Sequence, residues 1–270
     1  MNKEEPPVSL YKILSPIESD LGFRWLETPE VFLKRADLFE DQNDCSVPIE
    51  FATSTRAKRR ARLQGISSRE GQGLSNNRLK GLFRQRESEI PKDRPGQIAF
   101  DKRRATKFAR KFAVLSLTEI LDNELMWERY AKSHSGFCIG FDGRALSEYL
   151  SRLPSLQIFP APVIYENEIK PFDISYGGSD DTYDLIMRIK DKATWGFEHE
   201  WRMIYYGFNI KNIPPTDAVK FIKSGAIISI PKTLIAGVFI GKKPAPGLKE
   251  RLNKLIDEKS YPFSLVQTAY

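Results

Sequence analysis

The sequence predicts an α+β fold with a mixed or antiparallel sheet, peripheral helices and a basic helical and loop insertion. Of the 270 residues, 41% are hydrophobic and 29% are charged, which leaves enough apolar surface for a sizeable core. About seven short apolar segments have strand-like patterns, and the helical segments between them do not alternate strictly with the strands. We therefore expect one domain over residues 1–270, in which residues 53–112 are the basic insertion.

Short apolar segments bounded by turn residues predict the strands. In chain order they are VSLYKIL before Ser15, AVLSL (113–117), FCIGFD (137–142), PVIYE, WRMIYY (201–206), AIISI (226–230), AGVFIG (236–241) and FSLVQTA near the C-terminus. Apolar residues at helical spacing predict helices through ATKFARKF, NELMWERYAKSH, RALSEYLSRL (144–153), Thr182 to Ala193 and PGLKERLNKLIDEK. The pattern from Trp25 to Phe39 fits either a strand and a helix or an irregular hairpin.

The composition also excludes several classes of protein. The chain has no run of about 20 apolar residues that could cross a bilayer, and its first residues lack the apolar stretch of a signal peptide. The two cysteines, Cys45 and Cys138, provide no disulfide framework. We expect a cytoplasmic protein without a membrane partner.

The positive charge of the chain is concentrated in one segment. Between Arg56 and Lys111 there are 18 lysine and arginine residues against 5 aspartate and glutamate residues, a net charge of +13, whereas the whole chain carries +7. The segment is poor in apolar residues, so we expect it to supply little core of its own. Its charge density favours a polyanion such as nucleic acid over a solvated arm without a target. The candidate nucleic-acid-binding residues are Arg56, Lys58, Arg59, Arg60, Arg62, Lys102, Arg103 and Arg104.

Several familiar catalytic motifs are absent from the sequence. It contains no glycine-rich phosphate loop, no GxSxG motif, no HExxH motif and no paired CxxC motif. The only histidines are His134 and His199, and together with the two cysteines they do not match zinc-finger spacings. We therefore expect no metal site and no Cys-His protease.

The segment TWGFEHEWRMIYY (194–206) contains the candidate catalytic residues. Glu198 and Glu200 are two residues apart at the start of an apolar strand, so an extended backbone would direct both carboxylates to one side. Like charges beside the flanking tryptophans can raise one pKa, and such carboxylates are concentrated in functional sites. The alternative is that both are exposed at the strand end and paired with Arg202 or Lys192.

A second candidate region is AVLSLTEILDNELMWERYAKSHSGFCIGFD (113–142). It places Ser116 and Thr118 at the end of a strand and Trp127 and Tyr130 on the following helix. Aromatic side chains beside a glycine turn can form a pocket for a planar ring. The alternative is that both aromatic residues belong to the core.

Four sequence blocks resemble a bacterial family. LYKIL near the start, MWERYAKSHSGFCIGFD, KATWGFEHEWRMIY and GVFIG are similar in order and spacing to the bacterial domain-of-unknown-function family twenty-nine seventy-one. The resemblance covers residues 8–52 and 112–242 and leaves out the basic insertion.

A more distant resemblance is to the ADP-ribosyltransferases. Their fold is a split β-sandwich in which a polar residue on the first strand, a serine motif on a middle strand and a glutamate on a later strand hold NAD. The positions that match these places are Lys12 or Tyr11, then Ser116 with Thr118, then Glu200, with Glu198 as the first member of a Glu-x-Glu motif. The resemblance therefore implies an ADP-ribosyltransferase-like split β-sandwich as the core of the single domain.

The same resemblance implies transfer of ADP-ribose from NAD, which is a substrate. Glu200 would bind a ribose hydroxyl and stabilise the positive charge that forms as nicotinamide leaves. Glu198 would position or deprotonate the acceptor, and Trp127 or Tyr130 would stack on nicotinamide. The basic segment would bind a nucleic-acid acceptor. The resemblance to the bacterial family of unknown function suggests a toxin or phage-defence effector. A further expectation is an antitoxin or defence partner.

Two other functions stay open at this point. One is a nucleic-acid-binding module without catalysis, in which the basic segment alone carries the function. The other is a metal-dependent nuclease in which Asp180 and Asp181 act with Glu198 and Glu200 to hold Mg²⁺.

Overall fold

The computed structural model describes residues 5–16, 19–41, 44–45, 48–60, 63–64, 73–154, 156–172, 185–207 and 218–268. The strands within these residues are β1 (Ser9–Leu14), β2 (Glu30–Arg35), β3 (Phe112–Thr118), β4 (Phe137–Asp142), β5 (Gln157–Pro162), β6 (Ile164–Glu166), β7 (Ile189–Asp191), β8 (Glu200–Tyr206), β9 (Val219–Ile222), β10 (Gly225–Ser229), β11 (Ile235–Ile240) and β12 (Val266–Gln267). The helices are α1 (Ser19–Glu27), α2 (Asn76–Ser88), α3 (Arg94–Ala109), α4 (Glu124–Tyr130), α5 (Gly143–Ser151), α6 (Lys192–Trp195) and α7 (Leu248–Glu258). Residues 56–60 and 185–188 are also helical.

Ten of these strands form one open, mostly antiparallel sheet. Its order is β12-β11-β4-β1-β3-β2-β10-β9, with β8 beside β3 and β5 beside β8. β12 runs parallel to β11, and the other neighbours in this sheet are antiparallel. β6 and β7 form a separate parallel pair. The structure confirms the predicted α+β class with a mixed or antiparallel sheet.

The sheet opens along one edge of β3. β8 pairs with β3 along the whole length of the other edge. On the open edge β2 pairs with Ala113 and Val114, whereas β1 pairs with Thr118. β1 and β2 therefore diverge over the middle of β3. In this gap the Lys12 ammonium donates a hydrogen bond to the Ser116 carbonyl oxygen at 3.0 Å.

Alternation along the central strands separates two cores. Leu115 and Leu117 of β3 face a first core, which is covered by α1, α5 and α7. Ser116 and Thr118 point to the opposite side of the sheet because successive strand residues alternate. A second core lies on that side and includes residues from α3. β8 alternates in the same way, so every second residue of that strand also faces the side of Ser116.

The basic segment is part of the fold over its described residues. α2 and α3 lie within the predicted insertion, and α3 leads directly into β3. The residues that α3 buries are Gln97, Asp101, Ala105 and Ala109, and the two alanines belong to the second core. The expectation that this segment supplies little core is wrong for α3. Four buried residues at four-residue intervals form one stripe along the helix, even though half of its other residues are polar.

The helix predicted between Thr182 and Ala193 is confirmed only in part, because residues 189–191 form a strand, and its first three residues lie outside the described part of the chain. After a helical stretch at 185–188 the chain forms β7 and then α6. Ile189 pairs with Ile164 of β6 in a parallel ladder. Asp191 then caps α6 by accepting a backbone N–H of that helix at 2.7 Å. Strand pairing and the cap interrupt a pattern that has helical spacing.

Most other predicted elements are confirmed with small changes of boundary. The segment from Trp25 to Phe39 resolves into the end of α1 and β2, and the predicted C-terminal strand shortens to β12. β5 and β9 have no counterpart among the predicted strands. No helix in the described part of the chain is long and apolar enough to span a membrane.

We expect Asp101 to stabilise the second core strongly. Its carboxylate accepts the backbone N–H groups of Phe51, Ala52 and Thr53 and the Thr53 hydroxyl, at 2.8 to 3.2 Å. Asp101→Ala leaves these donors without their acceptor, so the free energy of unfolding should fall by about 3 kcal/mol in urea denaturation. Asp93→Ala is the control, since this exposed residue only caps α3 and should cost about 1 kcal/mol. Equal losses would contradict the prediction.

Candidate functional site

The gap between β1 and β2 opens into a cavity of about 470 Å³, which we call the central cavity. Its volume lies within the usual range of ligand pockets. Seven of the eight residues predicted for catalysis or NAD binding line it: Tyr11, Lys12, Ser116, Thr118, Tyr130, Glu198 and Glu200. The fold therefore gathers these residues from β1, β3, α4, the 3-10 turn before β8 and the start of β8 around one space.

The eighth predicted residue, Trp127, lies elsewhere. Its side chain is fully buried in a small separate core with Ile13, and its indole N–H donates to the Leu121 carbonyl oxygen at 2.7 Å. It therefore cannot stack on a ligand in the central cavity, and the alternative of a core role is the correct one. The aromatic side chains near α4 that do line the cavity are Tyr130 and Trp195.

Glu200 lies in a buried group of charged side chains at the central cavity. It begins β8 and is paired with Thr118 across the sheet. Its carboxylate accepts hydrogen bonds from Arg202 Nε at 2.8 Å and from Lys190 Nζ at 3.0 Å. Its backbone N–H donates to the Tyr165 hydroxyl at 2.9 Å. The residue is only 6% exposed, yet it contributes to the cavity wall.

Lys190, on β7, lies between two carboxylates. Its ammonium nitrogen is 2.5 Å from Glu198 Oε2 and 3.0 Å from Glu200 Oε2. It is also 3.6 Å from Asp44 Oδ2 and 4.6 Å from the centre of the Trp195 ring. The lysine reaches this position because its segment is a strand paired with β6 and not a continuous helix.

Arg202 extends the charged group to the segment around Asp44. Its side chain has no exposed surface, and its Nη2 is 2.6 Å from Asp44 Oδ1. Its Nη1 donates to the Met187 carbonyl oxygen at 2.6 Å and to Cys45 Sγ at 3.1 Å. We call the five charged residues Asp44, Lys190, Glu198, Glu200 and Arg202 the ion cluster. Buried charges persist when they are paired in this way.

The ion cluster shifts the pKa values of its two glutamates in opposite directions. Burial would raise the pKa of Glu200, but the charges of Arg202 and Lys190 outweigh burial and hold that pKa well below its usual value. Burial raises the pKa of Glu198, although Lys190 opposes the rise. Glu198 also accepts a hydrogen bond from the Tyr130 hydroxyl, and burial raises the pKa of that phenol. One carboxylate is held ionised while its neighbour favours its proton, as in acid–base sites.

The two glutamates converge by a route different from the predicted one. Glu198 ends a 3-10 turn, and His199 adopts a left-handed conformation with φ 44° and ψ 51° before β8 begins. The predicted extended backbone is therefore wrong, although both side chains still meet in the ion cluster. Both are buried, so the alternative of exposed residues is also wrong. Glu200 does pair with Arg202, whereas Lys192 is exposed and takes no part in the ion cluster.

Ser116 and Thr118 face the ion cluster from β3. The Thr118 hydroxyl donates to the Glu198 carbonyl oxygen at 2.7 Å and so helps to hold the 3-10 turn. The Ser116 hydroxyl oxygen is buried close to the Glu200 carboxylate. Burial raises the pKa of Glu200, and Ser116 acts together with Arg202 and Lys190 to lower it. The Ser116 hydroxyl makes no hydrogen bond of ordinary geometry with a described residue. A ligand in the central cavity could therefore use this hydroxyl.

Sequence reasoning missed three residues at this site. Lys190 falls in the segment that is wrongly predicted as a helix. Asp44 lies in a polar stretch with no periodicity, and Tyr165 lies in a predicted strand without any motif. The alternation of apolar and charged residues from Met187 to Lys190 is the one local signal that could indicate a strand there.

The candidate nucleic-acid-binding residues fall into two groups. Arg59 and Arg104 have structural roles, since Arg59 Nη1 donates to the Ala52 carbonyl oxygen at 2.7 Å and Arg104 lies 4.2 Å from the centre of the Phe51 ring. The exposed members are Arg56, Lys58, Arg60, Lys102 and Arg103. Arg62 lies outside the described residues, as do the candidate metal ligands Asp180 and Asp181.

Removing the charge of Lys190 should destabilise the protein strongly. Lys190→Met leaves the buried carboxylates of the ion cluster with Arg202 as their only cation in the cluster, so we expect the free energy of unfolding to fall by about 3–5 kcal/mol at pH 7. The loss should shrink below pH 4.5, the usual glutamate value, because protonated carboxylates no longer need the ammonium. Lys192→Met is the control and should change stability by less than about 0.5 kcal/mol. A similar result for both lysines would contradict this assignment.

Comparison with known proteins gives one match. Residues 126–203 match the profile of a family described as "Protein of unknown function (DUF2971)". This match spans α4 to β8 and includes Tyr130, Lys190 and both glutamates of the ion cluster. No significant match was found among curated proteins or among solved structures. The match supports the resemblance to this family of unknown function over the segment that carries most of the ion cluster.

Proposed function

We propose that this protein is an NAD-dependent ADP-ribosyltransferase that modifies nucleic acid. The observation that carries the proposal is Glu200, a buried carboxylate that faces the central cavity and is held ionised by Arg202 and Lys190. A glutamate in this state is suited to stabilise a cationic sugar in a water-poor site. The family resemblance suggests an effector of toxin or phage-defence type and the composition a cytoplasmic protein, so we extend the proposal to that role.

The proposed reaction breaks the bond between nicotinamide and ribose. Positive charge develops on the ribose as the neutral nicotinamide leaves, as in other oxocarbenium-like transition states. Glu200 accepts a hydrogen bond from a ribose hydroxyl and lies beside the developing charge. The ion cluster contains three carboxylates and two cations, so it carries a formal charge of −1 when Glu198 is ionised. That charge favours a cation in the cavity.

Glu198 has a separate role in the proposed mechanism. Its raised pKa makes it a stronger base than an ordinary glutamate, so it is suited to take a proton from the acceptor group. Tyr130, bound to the same carboxylate, also lines the central cavity and offers its ring to the nicotinamide. Tyr11 and Lys12 on β1 and Ser116 and Thr118 on the neighbouring β3 form adjoining parts of the cavity wall and contact the rest of NAD in this proposal.

The arrangement supports a metal-dependent nuclease less well. A divalent cation shared by Glu198 and Glu200 would have to bind between their carboxylates, where the Lys190 ammonium lies. A nucleic-acid-binding module without catalysis accounts for the exposed cations but gives no reason for an ion cluster that faces a cavity. The transferase therefore uses more of the structure than either alternative.

Replacement of Glu200 tests the proposed chemistry. We expect Glu200→Gln to lower the release of nicotinamide from NAD at least about 100-fold, because it removes the charge that stabilises the transition state. Glu166→Gln, at an exposed position on β6, should keep the wild-type rate. Circular dichroism establishes that both variants are folded at the assay temperature. A folded Glu200→Gln protein with the wild-type rate, or a wild type without NAD turnover on any nucleic acid, overturns the proposal.

The role of Glu198 predicts a pH dependence. Transfer of ADP-ribose to the acceptor should rise with pH through the raised pKa of Glu198, because the base must be ionised to accept a proton. Glu198→Gln should remove this acid limb and reduce transfer about 100-fold, while hydrolysis of NAD by water changes less. The measurement is the ratio of labelled acceptor to released nicotinamide across pH. An unchanged acid limb in Glu198→Gln would assign the limb to another group.

A further inference from the structure

We propose that exposed cations on α2 and α3 bind the phosphate backbone of a nucleic acid. Two of them lie on each helix, Lys80 and Arg84 on α2 and Arg103 and Lys107 on α3, and we call these four residues the helix-pair surface. The inference rests on the proposed function only for the identity of the nucleic acid as the acceptor. The sequence indicates a broader set of basic residues. The helix-pair surface takes the place of that set.

These four cations are not neutralised by any described residue. All four are exposed, and none forms an ion pair or hydrogen bond through its side chain with another described residue. Lys80 and Arg84 are four residues apart on α2, and Arg103 and Lys107 are four residues apart on α3. Like charges at this spacing repel each other and weaken a helix. An external polyanion would remove that repulsion.

Other cations of the basic segment already have partners within the fold. Arg94 donates to the Thr53 carbonyl oxygen at 2.7 Å, and Arg110 Nε is 3.0 Å from Asp37 Oδ2. Arg59 and Arg104 hold the 51–54 loop, as described above. The basic segment thus divides into cations that stabilise the fold and cations that do not, and the helix-pair surface belongs to the second kind.

The C-terminal end of α3 lies near the central cavity. Arg110 caps the C-terminal end of α3 and binds Asp37, which lies in the 3-10 turn after β2. The residues that follow this turn, Phe39, Glu40 and Asp41, line the cavity. The other side of the cavity floor is β3, which α3 enters directly. A nucleic-acid strand bound along α3 would therefore pass close to the rim of the central cavity.

The surface fits a nucleic acid better than an anionic membrane. A helix that lies on a membrane needs a continuous apolar face turned outward. α2 has no exposed large apolar residue, and Phe83 packs against the second core. Among the residues of α3, all of which the structure describes, Ile98 is the one large apolar residue that is exposed. Rows of cations without an apolar face match a phosphate backbone, where binding comes from counterion release.

Salt-dependent binding measured on the full chain tests the helix-pair surface. The test variant carries Lys80→Gln, Arg84→Gln, Arg103→Gln and Lys107→Gln. The control variant carries Lys220→Gln, Lys243→Gln, Lys249→Gln and Lys254→Gln, which removes the same charge from exposed positions elsewhere. Fluorescence anisotropy with labelled single-stranded DNA, duplex DNA and RNA is recorded between about 50 and 200 mM salt. Phosphatidylserine vesicles are tested in parallel.

We expect the test variant to bind nucleic acid at least about 10-fold more weakly and to lose about 3 units from the slope of log affinity against log salt. The control should change affinity by less than about 3-fold. Equal losses of affinity in both variants, or no loss in either, would contradict binding at the helix-pair surface. Loss of vesicle binding in the test variant, with no nucleic-acid binding by the wild type, would also overturn it in favour of a membrane.

The same proteins separate this inference from the proposed function. Hydrolysis of NAD without nucleic acid should be the same in the test variant and the wild type, because no residue of the helix-pair surface lines the central cavity. If the wild type turns over no NAD but binding follows the expected pattern, the proposed function fails and the surface stands. If NAD turnover is present but the test variant binds as the wild type does, the surface fails alone.

Discussion

The pairing of buried charges in the ion cluster is the interaction on which the rest of the site depends. Two cations from β7 and β8 bind three carboxylates that come from the segment after β2, a 3-10 turn and the start of β8. Each of these charges would be costly to bury alone, so removal of one leaves others uncompensated. The cluster therefore joins four chain segments and makes their mutual position a condition of stability. Glu198 and Glu200 belong both to the ion cluster and to the wall of the central cavity, so the ion cluster also fixes this part of the cavity.

The branched sheet explains why such a cluster borders a cavity and is not sealed in the core. β3 is paired with β8 along one edge, but its other edge is shared by β1 and β2, which diverge over its middle. A continuous partner would have closed this space. The strand alternation that turns Leu115 and Leu117 into the first core turns Ser116 and Thr118 toward the opening. One strand thus stabilises the fold on one face and presents polar groups on the other.

The sequence predicts the parts of this architecture that depend on local pattern. Most strands are short apolar runs bounded by turn residues, and the position of Glu200 at the start of β8 follows from such a run. The ion cluster is not local. Lys190 enters it through a parallel ladder between β7 and β6, while Leu185, Ile186 and Ile189 satisfy helical spacing equally well. Periodicity does not distinguish these outcomes, because the deciding hydrogen bonds are made by residues far away in the chain.

The contrast between the two kinds of positive charge in this chain is itself informative. Lys190 and Arg202 are buried and neutralised, whereas the cations of the helix-pair surface are exposed and lie at spacings that weaken their own helices. Folding gives a reason for the first pair, since they hold the ion cluster together. It gives no reason for the second set, because α3 is already anchored by its buried stripe and by Asp101. In the proposals made above, these exposed cations bind an anionic partner, and the ionised Glu200 in the nearby central cavity stabilises a cationic sugar.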